Sequence, residues 1–102
     1  MKTKELTLRA KDKHELDRMI NSSDITIVNS IFNSIRTGVK RKAKKVCPFK
    51  VQLDVTPELF YKFEIQREEW ANSLTKCLGI YEENEMYENC GEITILLKSI
   101  NE

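Results

Sequence analysis

Hydrophobic and polar positions alternate at the start of the chain. In residues 4–10, KELTLRA, Leu6, Leu8 and Ala10 share one side, which predicts a short strand. Asp12 and Glu15 then stand at capping-box spacing, and Leu16, Met19 and Ile20 follow at helical intervals, so residues 13–21 predict a short helix. Asn21, Ser22, Ser23 and Asp24 form a turn and N-cap cluster. Ile25, Val28, Ile31, Phe32, Ile35 and Val39 recur every three or four residues, opposite Asn29, Ser30, Asn33 and Ser34, and Ile27 broadens the stripe. That period predicts an amphipathic helix in spite of its β-branched residues. Gly38 is expected to end or weaken it.

Cys47-Pro48 is expected to break the helix, and Phe49, Val51, Leu53 and Val55 then alternate with Lys50, Gln52 and Asp54 in the clearest strand of the chain. Thr56-Pro57-Glu58 carries the signs of a helix start. Phe60, Phe63, Trp70, Leu74 and Cys77 mark one face of a helix over about residues 57–78, with Arg67 snorkelling from that face and Gly79 as its C-terminal cap. Residues 81–91 read as an acidic loop and residues 92–98, EITILLK, as a final strand. The resulting order, β-α-α-β-α-β, predicts an α+β fold: a small antiparallel or mixed sheet with helices packed on one face.

At 102 residues, 40% of them hydrophobic, the chain has material for a single domain over residues 1–102 and for one core. No apolar run is long enough to span a bilayer, and no secretory signal is readable at the start, which points to the cytoplasm. Three cysteines, Cys47, Cys77 and Cys90, are too few and too widely spaced for a disulfide framework. With His14 as the only histidine and no close cysteine pair, no metal site and no cofactor are expected. Cys77 and Trp70 fall on the apolar face of their helix and are expected to be core residues.

Charge changes the picture more than composition does. The net charge of +1 conceals a segregation: residues 25–53 carry seven basic groups and no acid, whereas residues 54–102 are net −7. The basic groups are Arg36, Lys40, Arg41, Lys42, Lys44, Lys45 and Lys50; the acids concentrate in Glu82, Glu83, Glu85, Glu88 and Glu92. Positive charge at a helix C-terminus complements the macrodipole, but five cations in six residues also repel one another, so stability alone does not account for them. Three readings remain open. The cluster binds the phosphate backbone of a nucleic acid without sequence preference, it docks on an acidic protein surface, or it is solvated surface neutralised within the fold or across a homodimer.

Catalytic signatures are absent. There is no glycine-rich phosphate loop, nucleophile elbow or zinc-protease motif, His14 lies in a charged segment, and Glu68-Glu69 and Glu82-Glu83 are neighbours that do not share a helix face. One local likeness remains. Ser34-Ile35-Arg36, Lys42-Ala43-Lys44-Lys45, Pro48-Phe49 and Asp54-Val55-Thr56-Pro57-Glu58 resemble, within residues 30–57, the segment that precedes the catalytic finger of phage HNH-type endonucleases. Lys76-Cys77-Leu78-Gly79 is similar to a further piece of that family. The resemblance implies a phage source, a host-cell cytoplasmic location and a DNA-binding helix. It does not extend to nuclease activity, because no histidine follows Lys76. The expectation is a non-enzymatic nucleic-acid-binding protein. The alternative is an interaction module, an inhibitor or adaptor of a host enzyme that uses its basic face or its acidic 82–92 stretch.

Overall fold

The computed structural model describes residues 6–20 and 24–101. In chain order these form β1 (Leu6–Ala10), α1 (Lys13–Ile20), α2 (Ile25–Arg41), β2 (Lys45–Leu53), β3 (Phe60–Gln66), a 3-10 turn (Arg67–Glu69), α3 (Trp70–Glu83) and α4 (Tyr87–Asn101). The sheet order is β1-β2-β3, with β1 parallel and β3 antiparallel to the central strand. The fold is α+β with a mixed sheet. Leu8, Ala10, Phe49, Val51 and Ile65 are buried toward the helices, while Thr7, Arg9, Lys62 and Glu64 on the opposite face are exposed.

The first half follows the sequence pattern. Asp12 Oδ1 accepts from Glu15 N–H at 3.0 Å, and Asp24 Oδ1 accepts from Thr26 N–H at 2.8 Å, capping α1 and α2. Residues 4–5 and 21–23 lie outside the described residues. Helix α2 is amphipathic as expected and buries Ile27, Val28, Phe32 and Ile35, but Gly38 does not end it: α2 continues to Arg41 and is closed by Lys42 in the left-handed conformation at φ 55°. Pro48 lies inside β2, at a register shift between Val46 and Phe49 where the strand's hydrogen-bonding ladder is interrupted.

The second half departs from the expected elements, and the order is β-α-α-β-β-α-α. Residues 57–78 are not one helix. Tyr61, Phe63 and Ile65 alternate with Lys62, Glu64 and Gln66, and pairing with β2 favours that two-residue period over the Phe60–Phe63 helical spacing. Pro57 belongs to the β2–β3 connection, where Leu59 N–H donates to Thr56 O at 3.0 Å. Gly79 is not a cap, because α3 runs through it to Glu83. Residues 81–91 are not a loop, and 92–98 are not a strand. They hold the end of α3, a turn with Glu85 at φ 57°, and most of α4. Ile93 of α4 is fully buried whereas Ile95 is 66% exposed, the mark of a helical stripe and not of an alternating one.

Helix α2 joins two apolar clusters. On one side Ile27 meets Leu8, Phe49 and Val51. On the other, Val28, Phe32 and Ile35 pack with Trp70, Leu74, Cys77, Tyr81 and Ile93. Phe49 and Phe63 stack across the β2–β3 pair with centroids 4.6 Å apart.

Candidate nucleic-acid interface

The basic segment folds as a turn held from beneath. Lys40 and Arg41 end α2, Lys42 is its left-handed cap, and Lys45 begins β2. Arg67 fixes the turn from the other side: its backbone N–H donates to Lys44 O at 2.8 Å and its Nη1 to Ala43 O at 3.1 Å. The Arg67 guanidinium lies 5.1 Å from the Trp70 ring centroid. Trp70 is fully buried and donates from Nε1 to Ile65 O at 3.0 Å. Arg67 therefore does not extend into solvent; it joins the core to the backbone of the basic turn.

Beside the turn lies a polar groove of about 740 Å³ lined by α2, by β2 and by Lys62 and Glu64 from the outer face of β3. Pairing with β1 begins only at Phe49, so the segment Lys45–Pro48 of β2 has no described strand on that side. Helix α2 turns Asn29, Ser30, Asn33, Ser34, Thr37 and Arg41 toward the opening, and β2 and β3 contribute Lys45, Lys50 and Lys62. Ser30 Oγ donates to Pro48 O at 2.6 Å and ties the helix to the interrupted strand. Among the described residues the one carboxylate lining the groove is Glu64, which pairs with Lys45 at 3.3 Å. Lys50 and Lys62 occupy directly opposed positions of the β2–β3 ladder.

The seven basic residues expected to act together divide. Lys40, Arg41, Lys42 and Lys44 are exposed and make no ion pair among the described residues. Arg41, Lys45 and Lys50 line the groove. Arg36 stands apart: it pairs with Glu92 at 2.8 Å, donates to Asn33 Oδ1 at 2.8 Å and covers the Phe32 ring at 5.2 Å. Lys62, absent from the sequence-derived set, joins because β3 brings it opposite Lys50. Reading residues 60–66 with a two-residue period would have found it.

Four acids of the clustered set, Glu82, Glu83, Glu85 and Glu88, lie toward the far end of α2, whereas Glu92 pairs with Arg36 and Glu64 with Lys45. Gly38 approaches Trp70 at the start of α3, whereas Tyr81 near its end donates to Asn29 Oδ1 at 2.6 Å, so the two helices run antiparallel. Glu82, Glu83, Glu85 and Glu88 thus stand near the N-terminal end of α2, and the basic turn at its C-terminal end, about 25 Å away for a helix of 17 residues. Both placements suit the α2 macrodipole.

Two reactive side chains, Cys77 and Tyr81, lie in the core. Burial pushes the Cys77 thiol up to about 11, and burial, followed by the charges of neighbouring groups, pushes the Tyr81 phenol up to about 12. His14 is exposed, and among the described residues no group of three His, Cys, Asp or Glu could hold a metal ion. No helix among the described residues is long and apolar enough to cross a membrane. No protein-family model, curated protein or solved structure matches the chain.

Proposed function

We propose that the α2–β2 turn and its groove bind the phosphate backbone of a nucleic acid, as a non-enzymatic contact without base preference. The observation that carries this reading is the exposure of Lys40, Arg41, Lys42 and Lys44, unpaired among the described residues, on a turn anchored by Arg67. A fixed turn presents its charges on backbone that is already ordered, and the hydroxyl and amide groups of Ser34, Thr37 and Asn33 add phosphate donors along α2. The acidic far end of the molecule repels the same polyanion and so favours one orientation.

The test is binding of labelled single-stranded and duplex DNA and RNA to wild type and to a variant with Lys40, Arg41, Lys42, Lys44 and Lys45 all changed to Gln. With four phosphates neutralised, wild-type affinity should fall by roughly 50- to 150-fold between 50 and 200 mM salt. The variant should keep its thermal midpoint and lose both affinity and salt dependence. Equal binding by the two proteins would overturn the proposal.

A further inference from the structure

β3 is an edge of the sheet: β2 pairs with one side, and no described strand pairs with the other. Helix α3 runs beside that edge, and between the two lies a second groove of about 580 Å³, far from the basic turn in character. Its floor is apolar, built from Ile27, Ile31, Phe63, Ile65 and Ile80. Its helical rim is acidic: Glu69 and Glu83 are exposed at the two ends of α3 and make no ion pair among the described residues, Asn72 Nδ2 donates to Glu69 Oε2 at 3.5 Å, and Lys76 lies between the two on the same rim.

A strand edge offers a row of backbone donors and acceptors, and a neighbouring apolar groove offers room for every second side chain of a strand laid along it. The dimensions agree. Glu69 and Glu83 are fourteen positions apart along the helical path, about 21 Å, and seven extended residues span about 20 Å. We propose that this groove binds an extended peptide segment of another protein, added to β3 as a fourth strand. Its apolar side chains at alternate positions enter the groove, and a Lys or Arg near each end meets Glu83 and Glu69. The acidic rim disfavours nucleic acid here, so the protein would hold a polyanion at one surface and a basic, extended peptide at another.

The probe is acetyl-KTVTVTK-amide, whose two Lys and two Val share one side of a strand, titrated into the full-length protein. Expected are amide shift changes and slowed hydrogen exchange along Phe60–Gln66, with affinity about tenfold weaker for the variant E69K/E83K. The peptide with Glu in place of both Lys should reverse that preference and bind the variant better than wild type. The Gln substitutions in the basic turn should leave peptide binding unchanged. The proposal fails if millimolar peptide leaves β3 unperturbed, if the charge reversal has no effect, if β3 responds instead to self-association, or if nucleic acid competes with the peptide.

Discussion

Gly38 of α2 lies directly beneath the indole of Trp70: a Cβ at residue 38 would stand 2.9 Å from Trp70 Cη2 and 2.6 Å from Val46 Cγ1. Glycine here permits a close approach, and its conformational freedom is not used, since the helix continues past it. In an exposed helix, Gly→Ala gains about 1 kcal/mol. In this contact Gly38→Ala should instead lose about 1–3 kcal/mol through overpacking, because the fully buried Trp70 has no space into which to move. Denaturant titration of the variant reads the sign directly, and a stabilised protein would contradict the packing described.

Trp70 fastens three elements, meeting α2 at Gly38, β3 through Ile65 O and the basic turn through Arg67. Trp70→Ala should cost about 3–5 kcal/mol, a large share of the roughly 5–15 kcal/mol typical of a folded domain, and reduce soluble yield. Trp70→Phe keeps most of the apolar volume but leaves Ile65 O without its donor, so its loss should be smaller, about 1–3 kcal/mol. Thermal midpoints of the two variants, measured together, separate packing from the hydrogen bond.

Arg67 should affect binding without touching the ligand. Arg67→Ala removes a charged donor to Ala43 O and the stacking on Trp70, for about 1–3 kcal/mol of stability. The freed turn should then bind nucleic acid more weakly than wild type, though more strongly than the protein lacking its basic side chains. Arg67→Lys should not restore it, because an ammonium lacks the planar face that lies on the indole. Binding at wild-type strength by a stable Arg67→Ala protein would show that the anchor plays no part.

Alkaline pH should weaken the fold. The Cys77 thiol is held at about 11 against an ordinary 9.0, and the Tyr81 phenol at about 12 against 10.0. Above pH 9 the unfolded chain releases protons that the folded chain keeps, so the unfolded state gains stability as pH rises. The thermal midpoint should therefore hold near neutrality and decline between pH 9 and 12. At neutral pH a thiol reagent should modify exposed Cys47 rapidly and buried Cys77 only on unfolding. Prompt reaction of Cys77 in the folded protein would mean that its site opens.

What the sequence determined by itself was what a single period can specify. The stripe of α2, the alternation of β2 from Phe49 to Leu53, the Asp12 and Asp24 caps and the burial of Trp70 and Cys77 need only local spacing, and the structure has each of them, although Val55 falls in the turn beyond β2 and is 68% exposed. The concentration of positive charge was equally legible, because it is a count. Tertiary structure decided the cases in which spacing serves two periods. Phe60 and Phe63 suit a helix, while Tyr61, Phe63 and Ile65 suit a strand; the open flank of β2 selects the strand, since its ladder needs a partner. Ile93, Ile95 and Leu97 suit a strand, but Ile93 with Leu96, Leu97 and Ile100 suits a helix, and the α2–α3 core takes the helix, burying Ile93 and leaving Ile95 in water. The same long-range pairings brought Lys62 opposite Lys50, turned Arg36 toward Glu92 and set Arg67 against the basic turn. These relationships join residues from 12 to 56 positions apart, and no local pattern encodes a contact that exists only once the core has closed.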